Sequence, residues 1–103
     1  MKGNFDHIVQ SETPVLVDFS AEWCGPCKAQ SPVIQEVARE MGDRLKVIKV
    51  DVDKNPMIAA RFRVQGVPTL ILFRNGEVLW RQSGLTDRRS LLQVVGPHCQ
   101  VPN

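Results

Sequence analysis

Cysteine is scarce in this chain: three in 103 residues, too few for the disulfide framework of a small secreted domain. Long apolar runs are missing too. No stretch approaches the ~18 residues that would span a bilayer, which excludes a membrane-spanning helix. The opening Met1-Lys2-Gly3-Asn4 turns polar without the apolar segment of a signal peptide. Together these absences lead us to expect a reducing, cytoplasmic setting. Charge of one sign is also lacking. The net charge is +2 and the basic residues are scattered, so neither a nucleic-acid surface nor a membrane-binding patch is expected. Repeats, linkers and low-complexity segments are absent, and a single domain over residues 1–103 is expected. Hydrophobic residues at 43% and charged residues at 23% are ordinary globular values, enough for one modest core.

What the chain does have is concentrated in Trp23-Cys24-Gly25-Pro26-Cys27-Lys28. Two of the three cysteines stand three positions apart, between an apolar run and a helical pattern. Residues so spaced on a helix share a face, with Cβ atoms roughly 5–6 Å apart. A disulfide needs about 3.5–4.5 Å, so a small adjustment closes the bond. Cys24 is expected at the helix start, exposed, its thiolate facing unpaired N–H groups and the positive end of the helix dipole. Pro26 suits the first turn, where its missing N–H has no partner to lose. Gly25 adds no side chain and leaves the Cys24 sulfur open. A structural zinc site needs four ligands, and beyond the pair only His7, His98 and Cys99 are candidates, so no metal is expected. A purely structural bridge across so small a ring would stabilise weakly. Reversible redox exchange is the stronger reading.

The elements follow from spacing. Asn4 to Ser11 reads as a helix capped by Asn4 and broken at Glu12-Thr13-Pro14. Pro14 to Phe19 is a nearly continuous apolar run, as in a strand buried on both faces. A helix runs from Cys24 towards Met41, kinked by Pro32 and stopped by Gly42. Leu45 to Val52 is a second strand, parallel to the first across the helical connection. Asn55-Pro56 starts a short helix to about Phe62. Thr69–Phe73 and Glu77–Gln82 flank the hairpin signal Asn75-Gly76. Thr86 or Asp87 caps a last helix that ends at Gly96-Pro97.

Val15-Leu16-Val17-Asp18-Phe19-Ser20-Ala21-Glu22-Trp23-Cys24-Gly25-Pro26-Cys27-Lys28 resembles the active-site strand and helix start of the thioredoxin family. Gly66-Val67-Pro68-Thr69, Phe73-Arg74-Asn75-Gly76-Glu77 and Gly84 recur in that family's order and spacing, and the similarity runs from Phe5 to Val95. Two departures stand out: Ser20 replaces a usual Trp, and the family's first strand is missing. The resemblance implies an α/β thioredoxin-like fold, a four-stranded mixed sheet in the order 2-1-3-4 with helices on both faces, and Leu45–Val52 as an open edge.

The resemblance also implies a thiol-disulfide oxidoreductase, in particular a general protein-disulfide reductase. Its partners would be a thioredoxin reductase and disulfide-bearing client proteins; it would bind no cofactor and act as a monomer. Cys24 would be the nucleophile and Cys27 the resolving thiol, one turn inside and less exposed. Asp18, a carboxylate within an apolar run, should have a raised pKa. By resemblance it sits behind Cys27 and takes that thiol's proton. Lys49 either reaches towards Asp18 or extends to solvent. Pro68 would be the family's cis-proline, presenting the Val67 backbone to an extended substrate. Trp23, Val52, Gly66, Val67, Gly84 and Leu85 would form an apolar docking surface around the sulfur, and Trp80 would belong to the core or the cover of the sheet. Two other readings compete with this one. An oxidase or isomerase on this fold usually carries a histidine between the cysteines, where this chain has Gly25-Pro26. A non-catalytic binding module is disfavoured by the intact pair. Cys99, in a polar tail, is expected to be an exposed free thiol able to form an intermolecular disulfide.

Overall fold

The computed structural model describes residues 3–100. Met1-Lys2 and residues 101–103, the ends of the expected domain, lie outside the described residues. The elements in chain order are α1 (Asn4–Val9), β1 (Val15–Ser20), α2 (Gly25–Met41), β2 (Lys46–Asp51), α3 (Pro56–Arg61), β3 (Thr69–Arg74), β4 (Glu77–Ser83) and α4 (Arg88–Val95). A 3₁₀ turn follows α2 at Gly42–Arg44, and another follows α4 at Gly96–Cys99.

One sheet runs β2-β1-β3-β4, with β1 parallel to β2 and antiparallel to β3. The expected 2-1-3-4 order is therefore present. Every residue of β1 is buried, because helices cover both faces of this central strand. Period-two alternation sorts the residues. Leu16, Leu70 and Leu72 face α2 and α4, packing with Ile34, Val37, Met41, Leu91 and Val95. Val15, Val17, Phe19, Ile71 and Phe73 face the other way, onto Phe5 and Val9 of α1 and onto the region of α3. The rings of Phe5, Phe62 and Phe73 meet there at centroid distances of 5.2–5.8 Å. Each fully buried Phe or Leu stabilises the fold by roughly 1.5–3 kcal/mol relative to exposure. The alternation has a functional consequence: Asp18, Ser20 and Lys49 fall on the α2 side, with the redox cysteines. Trp80 packs half-buried against that same layer, as sheet cover.

Local chemistry explains the ends of the elements. Gly42 stops α2 with φ 60°, and α2 runs unbroken through Pro32. Asn75 (φ 52°) and Gly76 (φ 79°) both sit in the left-handed region that a two-residue hairpin requires. Asp87, not Thr86, caps α4, its Oδ1 accepting the Ser90 N–H at 2.8 Å. One expected cap is not used. The N-cap of α1 is Gly3, with Asn4 already helical. Asn55 is the N-cap of α3 with Pro56 next to it, as expected of a helix start, although its side-chain amide donates to the Asp51 carbonyl at 3.0 Å rather than capping the helix. Among the described residues no strand pairs with the outer side of β2, whose exposed Lys46 and Lys49 discourage edge-to-edge association. No helix of the described residues is long and apolar enough to cross a membrane.

Candidate functional site

Strand β1 delivers the chain to the end of the sheet, and Ala21–Trp23 turn it into α2. Cys24 is the N-cap of α2: the Cys27 N–H donates to its sulfur at 3.1 Å. One of the unpaired amides of the helix start is thus spent on the Cys24 sulfur, which favours a negative charge there. Cys24 and Cys27 are joined as a disulfide with Cα atoms 5.3 Å apart. The expectation that Cys24 is exposed and Cys27 is not fails: they are 3% and 4% exposed. Ala21 forms one buried cluster with both cysteines, and Val52 and Val67 pack against that cluster, so burial is shared. What separates the two cysteines is their place on the helix, cap against first turn.

Opposite the pair, Val67-Pro68 is a cis peptide, as the resemblance implied. The Val67 carbonyl oxygen lies 3.6 Å from Cys24 Sγ. Thr69 Oγ1 donates to the Gly66 carbonyl at 2.6 Å and steadies that loop. Gly84, at φ 87°, turns the chain back towards it, and its N–H donates to the Pro68 carbonyl at 2.9 Å. Val52, Val67 and, through the Pro68 carbonyl, Gly84 are thus brought to this end of the sheet. Trp23 and Leu85 are 71% and 56% exposed, Gly66 and Gly84 are exposed, and Val52 and Val67 are half-buried beside the sulfurs. The Trp23 indole N–H donates to Asp53 Oδ2 at 2.7 Å, which fixes the ring in the open. Gly25 and Pro26 are exposed beside Cys24, with Pro26 in the first turn of α2.

Asp18 is 2% exposed, and its Oδ1 is buried without a hydrogen-bond partner. Desolvation pushes its pKa up from 3.8 to about 6, and the nearby Lys49 ammonium pulls in the opposite direction. Lys49 is the register partner of Asp18 across β1 and β2, but it is exposed and forms no close ion pair among the described residues. It influences the carboxylate through the field while reaching solvent. Ser20 lines a hollow of about 500 Å³ together with Cys27, Lys28, Lys49 and Lys54, at the position where the family's tryptophan would stand.

Cys99 corrects another expectation. It is 2% exposed and packs with Met41, Leu45 and Val95, because the 3₁₀ turn Gly96–Cys99 folds the chain back under α4. Burial pushes its thiol pKa up, and Arg44 and Arg74 offset part of that rise. It is far from the exposed surface thiol that the polar tail suggested.

Sequence reasoning missed two residues here. Asp53 carries no local signal. Gln30 did leave one: it occupies the seam Cys27, Gln30, Ile34, Val37, Met41, where an apolar residue belongs.

The family model described as thioredoxin matches residues 1–96. The chain is 48% identical to thioredoxin 1 of Chlorobaculum tepidum, over 87% of this chain and 89% of that one. It is 44% identical to thioredoxin of Rickettsia typhi, over 87% and 86%. A solved mutant thioredoxin from Halobacterium salinarum superposes with a TM-score of 0.87 at 34% identity, covering 100% of this chain and 89% of that one.

Proposed function

This chain belongs to the thioredoxin family and is a protein-disulfide oxidoreductase, and we propose that it works as a general protein-disulfide reductase. The observation that carries this reading is the Cys24 sulfur at the N-cap of α2, 3.1 Å from the Cys27 N–H and facing the Val67 carbonyl. In the reduced protein the Cys24 thiolate attacks one sulfur of a substrate disulfide. A mixed disulfide forms and one substrate thiolate leaves. Cys27 then loses its proton to Asp18, and its thiolate attacks Cys24 Sγ. The Cys24–Cys27 disulfide forms, the second substrate thiolate departs, and it takes up a proton. Two electrons have passed to the substrate. A thioredoxin reductase restores the dithiol, and the chain itself needs no cofactor.

Trp23, Val52, Gly66, Val67, Gly84 and Leu85 receive the substrate around the sulfur. An extended segment pairs with the Val67 backbone, and cis-Pro68 directs that backbone towards the sulfurs. Lys49, beside Asp18, keeps a positive field on the proton acceptor. A cytoplasmic monomer fits a protein whose task is to keep other proteins' thiols reduced.

The test is a trap. Cys27→Ser should accumulate a mixed disulfide with insulin at Cys24, identified by mass spectrometry, whereas Cys24→Ser should trap nothing. An adduct forming as readily on Cys27 would reverse the roles. The reduction potential of the pair should lie near the thioredoxin-class value of about −270 mV; a value above about −200 mV would point to an oxidant instead. Failure of the wild-type protein to reduce insulin would favour a binding module.

A further inference from the structure

Among the described residues Gln30 is the one large polar side chain wholly enclosed in the α2 layer, at 0% exposure. Its amide is used twice on a single residue. Nε2 donates to the Thr86 carbonyl at 2.9 Å, and Oε1 accepts the Thr86 N–H at 2.9 Å. This pairing settles which end of the amide is which, since the reverse would set like against like. The side chain thereby takes the place of a neighbouring strand, satisfying both backbone groups of a loop residue that no sheet or helix pairs. Thr86 is itself buried, and its Oγ1 has no partner.

The placement gives the clamp its meaning. Gln30 lies one turn beyond Cys27 on the same face of the same helix. Thr86 follows Gly84 and Leu85, two members of the surface around Cys24. At its other end the loop is held by the Gly84 N–H on the Pro68 carbonyl. Leu85, between the two anchors, has no comparable tie among the described residues and stands 56% exposed. One anchor therefore comes from the cis-proline loop and the other from the redox helix.

We propose that Gln30 is a positioning residue that sets substrate recognition, holding the Gly84–Leu85 side of the docking surface at a fixed place relative to the cysteines. The proposal rests on reading Gly84 and Leu85 as substrate-docking residues of a disulfide reductase. Gln30 touches neither sulfur, so its removal leaves thiol chemistry intact. It strands two buried backbone groups of Thr86, which then regain partners only if the loop moves out to water. Protein substrates that span the loop should feel this; small disulfides that meet only the sulfur should not.

Gln30→Met keeps the length of the side chain and an apolar fit while removing both hydrogen bonds. With insulin as substrate we expect KM to rise about tenfold with kcat within about twofold, and the rate with dipyridyl disulfide to change less than about twofold. Hydrogen exchange of the Thr86 amide should accelerate about tenfold while the amides of β3 stay as in wild type. An unchanged insulin KM in the folded variant would overturn the proposal. Equal acceleration of Thr86 and the β3 amides would overturn it too, since that reports a loss of global stability. If wild-type protein did not reduce insulin, the function reading would fail, whereas the Thr86 exchange would still decide whether Gln30 holds the loop.

Discussion

Asp18 is the residue whose replacement tests the most physics. Its carboxyl lies in a strand buried on both faces, with Oδ1 unpartnered, and desolvation raises its pKa from 3.8 to about 6. The unfolded chain releases this proton near the lower value and the folded protein near the higher one. Between them the folded state holds a proton the unfolded state has lost, so stability falls as pH rises through that window. The gap corresponds to ~3 kcal/mol, fully absent at the acid end and fully imposed above about pH 6. For a domain with roughly 5–15 kcal/mol of total stability this is a large cost. Asn has nearly the same shape and does not ionise. Asp18→Asn should therefore gain on the wild type steadily from about pH 4 to about pH 7, reaching ~3 kcal/mol above its acid-end difference. Urea unfolding of the oxidised proteins across that range measures the difference, and groups other than Asp18 cancel. A difference that stayed constant with pH within about 0.5 kcal/mol would refute the reasoning, and so would a variant that lost ground as pH rose. The same variant should reduce insulin more slowly, because it has no carboxylate to take the Cys27 proton.

Ser20→Trp should leave stability unchanged or raise it, since the ring can enter the hollow beside Cys27; a loss above about 2 kcal/mol in urea unfolding would show that the site is overpacked. Cys99 should resist alkylation in the native protein and form no covalent dimer on non-reducing gels. Cys99→Ser should cost roughly 1–3 kcal/mol, because a hydroxyl replaces a thiol among Met41, Leu45 and Val95. Rapid labelling of the folded protein at that position would contradict its burial. Gly76→Ala forces a side chain into φ 79° and brings its Cβ to 2.6 Å from Gln10 Nε2. We expect a loss of about 1–2 kcal/mol in thermal or urea unfolding, and no loss would mean the hairpin can change its turn type.

The order and type of the elements were legible in the sequence because they rest on local patterns. The apolar run before Trp23 suited a doubly covered strand, Asn75-Gly76 was a strong signal of a tight hairpin, and Gly42 marked the end of the long helix. The redox pair was equally plain, since three-residue spacing at a helix start is a local geometry. What tertiary structure decided was everything that depends on who comes near. Cys24 looked exposed from its place at the helix cap, but Val52 and Val67 arrive from 28 and 43 positions away to cover it. Cys99 sits in a run of polar residues, but a single 3₁₀ turn carries it under the core. Asn4 had the right chemistry for a cap, and the chain put Gly3 at that position instead. Gln30 shows the division most clearly. Its position in the apolar seam marked it as odd, but its partner is 56 positions away. A buried amide declares that it needs a partner; only the fold says which one.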